Sequence, residues 1–92
     1  MGYYLKSFIK NPDAVLDYGI DWAAWLNADV IINSAWVVSD GIIKRADYFD
    51  KKITNIWLSG GTVGNIYTII NYIVTSDCRE DSRIFYIRCQ NT

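Results

Sequence analysis

Hydrophobic and polar positions along the chain alternate in short runs rather than at helical spacing. "VIINSAWVVS" (30–39), "IIKRADYF" (42–49), "KITNIWLS" (52–59), "IYTIINYIVT" (66–75) and "SRIFYIRC" (82–89) are β-branched and aromatic. Turn residues separate them every 8–12 positions, and no long segment repeats at 3.6. "AVLDYGID" (14–21) adds a shorter strand with Gly19 as a bulge. Asp40-Gly41 predicts a hairpin joining the strands on either side of it. In "DWAAWLNAD" (21–29), Asp21 stands at an N-cap position before one helical turn that tucks Trp22 and Trp25 beneath it. The pattern predicts an all-β antiparallel sandwich of six to seven strands over residues 13–92. Residues 1–12 form an extended N-terminal arm that ends in the turn Asn11-Pro12-Asp13.

The last hairpin allows its faces to be assigned. Tyr67, Ile69, Asn71 and Ile73 share one side with Phe85, Ile87 and Cys89, and this is the expected core. The opposite side carries Ile70, Tyr72, Val74, Ile84 and Tyr86, which is too apolar for a freely solvated sheet. These five residues, with Tyr3, Tyr4 and Phe8 of the aromatic arm, are the expected protein interface.

Composition narrows the chemistry. In 92 residues there are 14 aromatics and no histidine, and the net charge is −1 with scattered Lys and Arg. Nucleic acid needs a concentrated basic face, so it is not an expected partner. No apolar run reaches membrane-spanning length, and "MGYYLKSFIK" lacks the core of a signal peptide. The Met-Gly start does not meet the myristoylation pattern, because Ser7 falls one place late. A hairpin would set Cys78 and Cys89 about 25–35 Å apart, too far for a disulfide. Two free thiols and a reducing compartment of synthesis are expected.

The candidate sites weaken in turn. "LSGGTVGN" (58–65) resembles a phosphate loop only in its glycines. Asn65 stands where the lysine should be, and the following segment reads as strand rather than helix. A corner with positive φ at Gly60, Gly61 and Gly64 is the expectation. Asp13, Asp17 and Asp21 lack the spacing, central Gly and distal Glu of a calcium loop. Cys78 beside Arg79 has no base to activate it. No constellation supports catalysis, a metal or a cofactor, and the chain reads as a non-enzyme. The four tryptophans leave a sugar-stacking platform as an alternative.

Three stretches carry a family likeness: "NPDAVLDYGIDWAAWL" (11–26), "SAWVVSDGI" (34–42) and "IWLSGGTVGNIYTIINYIVTSDCREDSRIFYIRC" (56–89). Their most specific parts are "PDAVLDY…DW…WL" and "WLSGGT.G..Y...N.I.T". The chain resembles the small tailed-phage virion proteins described as fibre–tail adaptor or neck proteins. The turn "SDCREDS" departs from that pattern, which commonly has a Gly there, and the first ten residues fall outside it. The resemblance implies an immunoglobulin-like sandwich present in several copies, made in the host bacterial cytoplasm and built into the virion. Its implied partners are other tail, neck, fibre or head proteins, or further copies of itself. A carbohydrate- or host-surface-binding module and a capsid decoration protein are the alternative roles.

Overall fold

A computed structural model describes residues 5–91. Seven strands follow one another as β1 (Leu5–Lys10), β2 (Leu16–Asp21), β3 (Ile31–Val38), β4 (Ile42–Phe49), β5 (Ile53–Gly60), β6 (Ile66–Thr75) and β7 (Glu80–Cys89). A single helical turn, α1 (Ala23–Leu26), links β2 to β3. One sheet has the order β1-β7-β6-β3 and the other β2-β5-β4. This is an all-β sandwich with the two-sheet plan of an immunoglobulin-like domain, its first strand lying beside its last.

Alternation puts Ile20, Ile56, Leu58, Ile69, Ile73, Phe85 and Ile87 inside, each almost wholly excluded from solvent. The core face expected for the last hairpin is the observed one, and it includes a buried amide, Asn71. Asn71 on β6 reaches across to β5. Its Oδ1 accepts hydrogen bonds from the Thr54 hydroxyl at 2.7 Å and the Trp22 indole N–H at 3.1 Å. Its Nδ2 donates to Ser34 Oγ at 2.9 Å and the Ala35 carbonyl at 3.1 Å on β3. Trp22 closes the open end of the sandwich, held by this bond and by the Arg83 guanidinium 4.1 Å from its ring. The N-cap is Trp22 and not Asp21 as expected; Asp21 precedes the cap and accepts the Ala23 N–H at 2.9 Å. Trp22 and Trp25 meet edge to face at 5.5 Å.

Three further local expectations need correction. β3 and β4 are not a hairpin: β3 pairs with β6, β4 with β5, and Asp40-Gly41 is the corner where the chain changes sheet. Gly41 has φ 97°, and the Tyr67 ring occupies the space a side chain would need. The Gly41 carbonyl accepts the Gly61 N–H at 3.0 Å, which locks that corner to the next one. Gly19 is not a bulge, because β2 pairs with β5 without a break; the irregularities lie at Ile32 and Arg45. The stretch read as an arm is, over residues 5–10, the edge strand β1. It runs parallel to β7 from Leu5↔Ile84 to Lys10↔Cys89. Apolar alternation along "LKSFIK" is masked by two lysines, one of which is buried.

The Asn71→Leu variant keeps the branched shape, with larger methyl groups, but removes the acceptor of the Thr54 hydroxyl and the donor to the Ala35 carbonyl, and leaves Trp22 Nε1 only its longer bond to Thr54. It is expected to cost about 3 kcal/mol and lower Tm by roughly 15 °C in thermal unfolding. An unchanged Tm would show that the network is energetically idle.

Candidate interaction surface

The glycine-rich corner is not a phosphate loop. Gly60, Gly61 and Gly64 all have positive φ, as expected. A Cβ on Gly61 would collide with the Cys89 sulfur. The Tyr67 hydroxyl accepts the Thr62 N–H at 2.8 Å, five residues upstream, which makes "GGTVGNIY" a tyrosine corner. The amides that a phosphate loop would present are committed: Gly61 N–H to Gly41, Gly64 N–H to Cys89 and Thr62 N–H to Tyr67. Lys10 reaches the same corner from β1. Its ammonium is buried and donates to the carbonyls of Gly60 at 2.7 Å and Asn11 at 2.9 Å.

The other charged cluster is also structural. Asp29 is buried and accepts from the Val30 N–H, the Ser76 hydroxyl, the Asp77 N–H and, at 3.0 Å, Arg79 Nε. Arg79 also donates to the Leu26 carbonyl and lies 4.3 Å over the Trp25 ring. Together they brace the turn between β6 and β7. Desolvation pushes the Asp29 carboxyl up, but bonds from Thr75, Ser76, Val30 and Arg79 outweigh it and hold the group well below the usual carboxylate range. Cys78 is exposed in that turn at φ 64°, and Cys89 is buried at the far end of β7; both thiols are free. Among the described residues no three His, Cys, Asp or Glu side chains converge as metal ligands, and no helix is long and apolar enough to cross a membrane.

What remains is the outer face of the four-stranded sheet. Register places Ile70 opposite Ile84, Thr68 opposite Tyr86, Ala35 opposite Tyr72 and Val37 opposite Ile70. Ile70, Tyr72, Val74, Ile84 and Tyr86 therefore form one continuous patch. Tyr72 is exposed, while the other four are half-buried by their neighbours on the central strands. The rim adds Ile9, Val37 and Ile66, which with Tyr72 are 46–57% exposed. Sequence reasoning missed Ile9 and Val37 because only the strand register reveals that β1 and β3 continue the face, whereas Ile66 begins β6 and alternation alone could have added it. Phe8 does not join it. It points inward, 5.1 Å from Tyr18 and 5.4 Å from Phe85, because β1 packs as a strand rather than projecting as an arm. Tyr3 and Tyr4 lie outside the described residues.

The tryptophans do not share a platform. Trp22 is core, Trp25 lies under Arg79, and Trp36 packs edge-on to Phe85. Trp57 alone among them is exposed, on the outer face of the other sheet between Asp17 and Ala46.

Residues 10–88 match the family model of the podophage GP4 fiber-tail adaptor protein gp77. The chain belongs to this family. No curated protein matches it. Family membership makes it a structural protein of tailed-phage virions and agrees with the resemblance carried by its motifs. Within this fold the motif residues Trp22, Leu26, Tyr67, Asn71, Ile73 and Thr75 are all buried. Other motif positions, Val15, Leu16 and Trp57, are exposed.

A carboxyl held low in the folded state stabilises fully above its unfolded pKa and loses that contribution as pH falls through the folded value. Unfolding stability should therefore decline below about pH 4 for the wild type. An Asp29→Asn variant should be less stable at pH 7 and show a shallower acid decline in urea titrations. Parallel wild-type and variant curves between pH 7 and pH 2 would remove Asp29 from this role.

Proposed function

We propose that the chain is an adaptor joining tail or neck components to fibres or neighbouring virion proteins, through the outer face of the β1-β7-β6-β3 sheet. The observation that carries this reading is the contiguous apolar patch of Ile9, Val37, Ile66, Ile70, Tyr72, Val74, Ile84 and Tyr86. The sandwich already has a complete core on the other side of the same strands, so folding does not require these residues to be apolar. A partner that covers them gains their burial, at about 25 cal/mol per Å² before association costs. Several copies per particle, assembled against other virion proteins or against one another, fit such a surface. Membership of a structural adaptor family supports a non-enzymatic role.

One observation favours a second reading. Exposed Trp57 and Tyr48 lie on neighbouring strands of the other sheet, beside Asp17 and Asn55, whose side chains are 3.3 Å apart. An aromatic surface edged by hydrogen-bonding groups suits a saccharide of the host surface.

Tyr72→Asp and Trp57→Ala separate the two readings. Each should change stability by no more than about 0.5 kcal/mol, verified by thermal unfolding. In complemented phage, Tyr72→Asp should abolish incorporation into particles, measured by quantitative mass spectrometry, and Trp57→Ala should leave it intact. Normal incorporation of Tyr72→Asp with lost adsorption of Trp57→Ala particles would replace the adaptor reading with the second one.

A further inference from the structure

The apolar face ends in a recess where β6 begins and β7 finishes. Its volume is about 450 Å³, and Val63, Gly64, Ile66, Arg88, Gln90 and Asn91 line it. Arg88 is the direct cross-strand partner of Ile66 on one side and of Ile9 on the other. Arg88 is thus flanked on the sheet by exposed Ile9 and Ile66, and exposed Val63 lines the same recess. The ion pairs among the described residues are Lys44–Asp47 and Arg79–Asp29, and neither involves Arg88.

This arrangement limits what can cover it. A purely apolar partner closing over the recess would bury an unpaired cation, which costs more than the apolar contact returns. A guanidinium offers a planar fork that fits a carboxylate through two parallel hydrogen bonds. We propose that the recess receives a projecting segment of a partner virion protein, in which an apolar side chain fills the cavity and an adjacent Asp or Glu pairs with Arg88. The proposal rests on the reading of this sheet face as the docking surface and names the chemistry of what docks there. The apolar side chain supplies burial, while the carboxylate sets the register of the partner along the face.

Photo-crosslinking in intact particles tests it. p-Benzoylphenylalanine is placed at Val63 in one phage and at Tyr72 in another, and the crosslinked segments are identified by mass spectrometry. Both positions should crosslink, and the Val63 product should contain an apolar residue within two positions of an Asp or Glu. Arg88→Glu should then reduce incorporation by at least about tenfold, and changing that partner carboxylate to Lys should restore it. Crosslinking from Tyr72 without any from Val63 would overturn the recess proposal and keep the docking face. A Val63 product lacking a nearby carboxylate, or normal incorporation of Arg88→Glu, would also overturn it. Absence of crosslinks from both positions would remove the docking face as well.

Discussion

The side-chain amide of Asn71 is the constraint on which the sandwich depends. It lies at the centre of the interior, where an unpaired amide would cost several times what a typical exposed hydrogen bond contributes. Its oxygen is taken by Thr54 from the opposite sheet and by Trp22 from the end cap, and its nitrogen by β3. Apolar packing alone would tolerate a sideways shift of one sheet over the other. The amide does not, because any shift large enough to reseat Ile56 or Ile69 breaks its bonds. The hydrophobic layers supply most of the stability, and this polar contact selects one alignment of them.

The same alignment determines where the outer surface begins. Tyr67 stands four residues before Asn71 on β6 and uses its hydroxyl to fix the corner at Thr62. That corner holds Gly60 where Lys10 can donate to its carbonyl, and Lys10 ends β1. A lysine with its stem in the core and its ammonium on backbone carbonyls ties the edge strand into the fold without a carboxylate. β1 is therefore fixed at its C-terminal end, and Ile9 is held beside Arg88 instead of swinging free.

Six of the seven strands, the inward face of the last hairpin, the glycine corner and the helical turn after Asp21 were legible in the sequence. Each depends on local alternation or on backbone conformations that few residues adopt. What was not legible depended on pairing over long distances. Asp40-Gly41 has the chemistry of a hairpin turn, but β3 finds a better partner in β6, and the Tyr67 ring occupies the space beside Gly41. β1 looked like an arm because Lys6 and Lys10 interrupt its alternation, and nothing local shows that an ammonium will be met by carbonyls 50 residues away. Phe8 was misplaced for the same reason. The proposed docking face differs: alternation along β6 and β7 discloses its centre and reaches Ile66, but Ile9 and Val37 join it only through the register of β1 and β3.

A face formed in this manner has a thermodynamic consequence for assembly. Its residues stand on paired strands, two of them central in the sheet, and half of its apolar side chains are already confined by their neighbours. Little conformational entropy is left to lose when a partner covers them, so more of the burial energy appears as affinity. Flexible apolar segments would pay that ordering cost in every copy. For the proposed docking face, avoiding that cost would raise the affinity of each contact a partner makes. The sheet is apolar on both sides for two separate reasons: the inner side makes the domain, and the outer side is kept rigid by it.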